Sequence, residues 1–333
     1  MTQRPTIKKI THWFALLAAA VFFWGCAHHR PLPQESYQLV YKSRGSTPSQ
    51  TDNWAPSFVV YGHFQNYNRI GRPSVEVDGQ GKERIYIDTE DPVVYFMKRS
   101  FKTAKATYTN HIYRIHFPKT PYSLIPFNLT AGKNVGLMAV VTLNTENLPV
   151  LVTTVHTCGC YKAIVPTQYL PKQALPENWT GKRLKVYGEK LPSLLQFQSV
   201  PKPQILVHLR PGVHRVMNLE IQNRQVLSSQ QYKVVHMNTV PMDQLTTLPA
   251  KSGTTSFYHS DGILQGHVKG SVKPLETLFM SLISLDLFVG TDKAYADAAT
   301  TGNPFYTSLK PWRRNDSDMW DFANFLTYWG WRL

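Results

Sequence analysis

Residues 149–167 read PVLVTTVHTCGCYKAIVPT and contain two of the three cysteines of the chain. Residues 150–155 are all apolar or β-branched, which is typical of a strand that is buried on both faces. The strand runs directly into His156, Cys158 and Cys160. Because Cys158 and Cys160 are the only cysteines apart from Cys26, the stretch predicts a buried strand that ends at a chemically reactive turn.

The strands predicted around this stretch indicate the fold class. Residues 136–143 form an apolar run that the polar residues 144–147 join to the next strand, which predicts a hairpin. Further strands are predicted at residues 37–41, 57–62, 74–78, 84–88, 111–117, 184–187, 204–209, 216–221 and 232–236. Many short strands separated by Pro and Gly predict a mainly-β (α+β) fold. We expect an antiparallel, sandwich-like or partly closed barrel domain over residues 56–270.

The sequence changes character after this domain, and residues 271–333 predict a C-terminal helical segment that packs on it. Residues 274–289 are apolar nearly throughout and are followed by Gly290, which predicts a buried helix. Residues 315–317 offer an N-cap for a last helix, whose aromatic side chains supply a packing surface.

The first 25 residues predict a signal peptide, with basic residues at Arg4, Lys8 and Lys9 and an apolar run over residues 10–24. The run is short for a helix that crosses a bilayer, which takes about 20 residues. A leader of this kind places the folded domain outside the cytoplasmic membrane.

The junction Gly25-Cys26 resembles the lipobox of bacterial lipoproteins, whose cysteine is acylated and becomes the first mature residue. The resemblance implies that Cys26 is lipidated with palmitate-type chains and that residues 26–55 form a lipidated N-terminus and flexible tether. An uncleaved anchor helix and ordinary secretion are the alternatives. Ala27, in a position where Asp would favour the inner membrane, implies a periplasm-facing protein of the outer membrane.

The charge of the chain limits its partners. There are 36 Lys+Arg against 21 Asp+Glu, a net charge of +15. A basic protein attracts anionic partners. For an exported protein we expect membrane lipid through acylated Cys26, an anionic envelope polymer or another envelope protein, and no nucleic acid.

One short segment combines basic and aromatic side chains that suit an anionic surface: Lys310, Trp312, Arg313 and Arg314. Arg offers a bidentate fork to phosphate or carboxylate, and Trp offers a flat face. The alternative is that these side chains cover the last helix.

Four chemical interpretations of the cysteine turn remain open on sequence alone. A Cys158–Cys160 disulfide is typical of an exported protein, and so small a ring is expected to be easily reduced. His156, Cys158 and Cys160 also suit a soft-metal site for Zn or Cu. A nucleophilic cysteine and two inert, packed thiols are the other two. A further metal ligand is sought among the histidines His116, His111 and His63.

The function that follows is a binding or structural role in the cell envelope. The alternative is a periplasmic metal-dependent or thiol-redox enzyme that uses His156, Cys158 and Cys160. The sequence contains no G-x-G-x-x-G after a strand, no Walker loop, no H-E-x-x-H, no G-x-S-x-G and no C-x-x-C-H. These absences disfavour nucleotide chemistry and the common zinc-hydrolase and serine-hydrolase plans.

Overall fold

The structure, a computed structural model, describes residues 38–44, 54–124, 127–225, 227 and 233–333. The predicted signal peptide, Cys26, Ala27 and most of the predicted tether lie outside the described residues. Within the ranges described, no helix is both long and apolar enough to cross a membrane.

The described residues form sixteen β-strands and three α-helices, which confirms the mainly-β fold class. The strands are β1 Gln38–Arg44, β2 Ser57–Tyr61, β3 Arg72–Val77, β4 Glu83–Asp88, β5 Val93–Lys102, β6 Thr107–Thr120, β7 Gly132–Leu143, β8 Pro149–His156, β9 Ala163–Pro166, β10 Leu184–Val186, β11 Glu189–Leu191, β12 Pro203–Leu209, β13 Val216–Asn223, β14 Lys233–Pro241, β15 Leu248–Ala250 and β16 Gly253–Thr255. The helices are α1 Pro274–Ser284, α2 Ala298–Thr301 and α3 Phe322–Tyr328.

Ten of the strands form one sheet in the order β13-β12-β2-β1-β14-β5-β6-β7-β8-β9. Strands β5 to β9 follow one another as antiparallel neighbours, and the predicted hairpin of β7 and β8 is among them. Three pairings are parallel: β12 with β2, β1 with β14, and β14 with β5. Because parallel neighbours are not joined by a tight turn, no local motif in the sequence predicts these three pairings.

The sheet curls, and its two faces hold separate parts of the core. Val207 of β12 and Val165 of β9 lie near opposite ends of the sheet, yet both belong to one apolar cluster with Leu137 of β7. On the other face of β7, Val140 belongs to a second cluster that includes Phe325 of α3. Because successive side chains of β7 point to opposite faces, this strand is buried on both sides.

Strand β1 lies within the segment that the sequence predicts as a tether. It pairs with β2 on one side and β14 on the other, and Leu39, Val40 and Tyr41 are buried. Residues 38–44 therefore belong to the folded domain.

The C-terminal helices differ from the prediction in two ways. Helix α1 ends at Ser284, because Leu285 adopts a left-handed conformation with φ of 50°, and much of its apolar surface is exposed instead of buried. Helix α3 begins later than the predicted cap at residues 315–317. Its N-cap is Asp321, whose carboxylate accepts a hydrogen bond from the backbone N–H of Asn324 at 3.3 Å.

Candidate functional site

The site begins where β8 ends and the chain turns on itself. The backbone N–H of His156 donates to the carbonyl of Cys160 at 2.9 Å, and that of Gly159 donates to the carbonyl of His156 at 2.7 Å. Gly159 has φ of 93°, and a Cβ at this position would collide with the carbonyl oxygen of Tyr306. Only glycine fits this turn, both for its backbone conformation and for the close approach of the neighbouring chain.

The turn brings the three predicted site residues together. Cys158 and Cys160 have their sulfurs at bonding distance and their Cα atoms 5.7 Å apart, as in a disulfide. The ligand atoms of His156, Cys158 and Cys160 lie within 4.8 Å of one another. Two ligands on a tetrahedral zinc ion are about 3.8 Å apart, so reduction of the disulfide and a small adjustment would suit a metal as well. The geometry is compatible with both states.

His156 is kept neutral by its surroundings. Burial and, to a smaller extent, the positive charge of Lys273 lower the pKa of His156 from 6.5 to about 4, although the charge of Asp292 and a hydrogen bond with the backbone of His214 act in the opposite direction. Its ring meets the ring of Tyr161 edge-on at 4.8 Å. The Nε2 atom is buried without a hydrogen-bond partner among the described residues. A neutral imidazole with an unpartnered nitrogen is the form that binds a metal or accepts a proton.

An ion pair lies beneath the turn and holds it to the C-terminal segment. The carboxylate of Asp292 pairs with Lys273 at 3.0 Å, and both side chains are buried. The same carboxylate accepts hydrogen bonds from the hydroxyls of Thr157 and Ser271. Burial raises the pKa of Asp292, but Lys273 and the two hydroxyls outweigh it, and the pKa falls to about 2. Thr157, which lies between His156 and Cys158 in the turn, is thus hydrogen-bonded to the carboxylate of the ion pair.

Lys293 makes a second connection between the same elements. Its ammonium donates to the carbonyls of Cys158 and Thr291, each at 3.2 Å, and its backbone N–H donates to the carbonyl of Thr157 at 2.8 Å. Burial lowers the pKa of Lys293 to about 8, although Asp286 and Asp292 act to raise it. Sequence reasoning missed Asp292, Lys273 and Lys293, since no motif connects them to the cysteines.

A cavity of about 110 Å³ gives access to the disulfide. Both cysteines line it, together with Glu276, Met280 and Tyr306. Glu276 is buried, its Oε2 atom has no hydrogen-bond partner in the described part of the chain, and burial raises its pKa. The disulfide therefore faces a small space that also contains a carboxyl group, instead of being enclosed in the core.

The other predicted ligands, His116, His111 and His63, do not join the group of His156, Cys158 and Cys160. His116 accepts a hydrogen bond from Arg114 at 3.1 Å and packs against Phe257, and His111 packs against Phe96. The carbonyl of His63 accepts from Arg69 at 2.8 Å. In the described ranges, no fourth His, Cys, Asp or Glu joins His156, Cys158 and Cys160.

The basic segment near the C-terminus is partly engaged by acids. Arg313 pairs with Asp316 at 2.7 Å. Arg314 lies 3.8 Å from Asp286 and donates to the carbonyl of Ser284. Lys310 and Trp312 are exposed.

Comparison with known proteins adds no relative. No protein-family model, no curated protein and no solved structure matches the chain.

Proposed function

We propose that this protein is a cell-envelope lipoprotein, anchored through acylated Cys26, whose domain binds a ligand or partner at the cavity beside the Cys158–Cys160 disulfide. The observation that supports a binding site here is that both cysteines line this cavity. The envelope location is supported by the leader and by Gly25-Cys26. Ala27 extends the proposal to the outer membrane, with the domain facing the periplasm.

The disulfide is too local to act mainly as a staple of the fold. In the chain-entropy model, a bridge that closes a loop of three residues stabilises a protein by about 1.5 kcal/mol, against about 3 kcal/mol for a loop of fifteen. Cys158 and Cys160 are separated by Gly159 alone. We infer that the bridge preserves the shape of the turn at the cavity.

The soft-metal alternative is favoured by one specific observation, the unpartnered Nε2 of His156 beside the two sulfurs. In this alternative, reduction gives two thiolates that bind Zn or Cu together with His156, and a ligand from elsewhere completes the shell. A thiol-redox enzyme would use the same residues. An incoming thiolate would attack one sulfur, form a mixed disulfide and release the other cysteine as a thiolate.

Native mass spectrometry of the full-length chain, purified without chelators, separates these states. The proposal expects a mass lower by two hydrogens than the fully reduced chain, no bound metal and no free thiol at Cys158 or Cys160. A bound zinc or copper ion that disappears in Cys158→Ser would overturn the disulfide proposal and establish the metal alternative.

The anchor is tested separately at Cys26. We expect the mature chain to begin at Cys26 and to carry the mass of its acyl chains, and Cys26→Ser to lose that modification. Membrane fractionation that is unchanged by Cys26→Ser, in a chain that never carried acyl groups, would contradict the lipoprotein and favour the anchor helix.

A further inference from the structure

Helix α1 has its polar and apolar faces in an unusual orientation. Its buried positions are Glu276, Met280 and Ser284, one every four residues, so a mostly polar stripe faces the protein. The exposed side carries Leu278 and Leu282, which are 65% and 83% exposed. A surface helix of a globular protein normally turns its apolar stripe towards the core. The orientation here leaves the apolar stripe without cover from the described residues.

The exposed surface continues past the helix. We name as the apolar ridge the five side chains Leu278, Leu282, Ile283, Leu285 and Leu287, each more than half exposed. Leu124, which is 82% exposed, extends it, because Leu124 forms a β-bridge with Phe127 and the ring of Phe127 lies 6.1 Å from that of Phe279 of the helix. Single exposed apolar side chains are common, but a contiguous group of this size marks an interaction surface.

The charges around the apolar ridge identify what it contacts. The acids of residues 272–287 are Glu276, which is buried, and Asp286, which accepts from Tyr306 and pairs with Arg314. On the neighbouring segment, Lys310 is exposed and Trp312 is 76% exposed. The hydrogen bond from the Arg314 side chain to the carbonyl of Ser284 places the segment of Lys310 and Trp312 beside the C-terminal end of α1.

Apolar side chains in the middle, with Trp and Lys on the neighbouring segment and no unpaired exposed acid within residues 272–287, match the interface of a bilayer that contains anionic lipids. Trp is enriched at the level of the headgroups, and basic residues near such a surface are attracted to its negative charge. A helix of 11 residues is about 16 Å long and can lie in the interface with its apolar face between the headgroups.

We propose that the apolar ridge docks on an anionic lipid bilayer surface, with Leu278, Leu282 and Leu285 in the interface and Lys310 and Trp312 among the headgroups. The proposal rests on the proposed envelope function for the presence of a lipid surface, but the contact does not require acylation of Cys26. Because the ridge lies on the helix that lines the disulfide cavity, docking sets the orientation of that cavity relative to the membrane.

The test places a polarity-sensitive fluorophore on the ridge of the full-length chain, through Leu282→Cys. The matched control is Gln80→Cys, in the exposed turn between β3 and β4. The chain is reconstituted, without reductant, into phosphatidylethanolamine–phosphatidylglycerol vesicles that contain spin-labelled lipid. We expect blue-shifted emission and at least roughly twofold quenching at position 282, and neither at position 80. Lys310→Gln with Trp312→Ser, and separately neutral phosphatidylcholine vesicles, are each expected to reduce the quenching.

Solvent-like emission at position 282 in vesicles would overturn the proposal. A blue shift that depends on protein concentration and not on lipid would also overturn it, because the ridge would then contact a second copy of the chain. The mass of the purified chain reports acylation of Cys26 independently. If that mass shows no acyl groups, the label at position 282 is placed in Cys26→Ser, which removes the second free thiol, and quenching there contradicts the lipid anchor alone. An acylated chain with a solvent-exposed label contradicts the docking alone.

Discussion

Mild acid should destabilise this protein through the buried histidine of its cysteine turn. The pKa of His156 is about 4 in the folded chain, against an ordinary value of 6.5. Between these values the unfolded chain binds a proton that the folded chain does not bind. The free energy of unfolding therefore decreases as the pH falls from about 6.5 towards about 4, and the contribution is fully present above that range.

The magnitude follows from the two pKa values. At about 1.4 kcal/mol per pH unit, the full loss from His156 is about 3 kcal/mol, and between pH 7 and pH 5 it is about 2 kcal/mol. Burial lowers the pKa of His214 to about 3, so this residue also reduces the free energy of unfolding in acid. A charged His214 would in addition repel a charged His156. Glu276, whose pKa burial raises, acts in the opposite direction. Asp292 has a pKa of about 2 and loses its contribution only below about 4.

Urea unfolding at about pH 7 and about pH 5 measures the effect. We expect His156→Gln to reduce the difference between the two pH values by about 2 kcal/mol, whatever its effect on stability at pH 7. The exposed His236 supplies the matched control, since His236→Gln should leave most of the difference in place. A His156→Gln chain with the full wild-type difference would refute the assignment of acid sensitivity to this residue.

Three further predictions concern the same region. Changing both Cys158 and Cys160 to Ser should lower the free energy of unfolding by about 1.5 kcal/mol in oxidising buffer and change it little in reducing buffer. A loss above about 4 kcal/mol would show that the disulfide mainly stabilises the fold. Gly159→Ala should destabilise the chain by more than about 2 kcal/mol in thermal or urea unfolding, because of its positive φ and its contact with the neighbouring backbone; Gly79→Ala, with open space around its Cβ, should be nearly neutral. Asp292→Asn should cost about 3–5 kcal/mol, since it leaves a buried ammonium without its counter-charge, and a cost below about 1 kcal/mol would show that the pair is dispensable.

The mainly-β fold class and the hairpin of β7 and β8 could be predicted because strand formation follows local patterns of apolar and β-branched residues. The grouping of His156, Cys158 and Cys160 was predictable for the same reason. Alternation on a strand places them on one side, and Gly159 permits the curl that brings them together. A leader and a lipobox-like junction are likewise local features, and they remain predictions.

Contacts between distant segments were not predictable. The parallel pairing of β1 with β14 joins residues almost two hundred positions apart. The pair Asp292–Lys273 acquires its role only when the C-terminal segment packs against the turn after β8, since nothing near either residue in the sequence indicates a buried charge.

The sequence by itself determined many of the strands, although not the central β5 or β9, and it determined which reactive side chains meet in the turn, because neighbours along the chain are held at fixed spacing. Only the tertiary structure decided which face of α1 is buried. The apolar composition of the helix favours burial, but Glu276 and Ser284 occupy the inner positions. The exposed leucines of α1 are therefore a consequence of how the whole domain places this helix, not of the helix sequence.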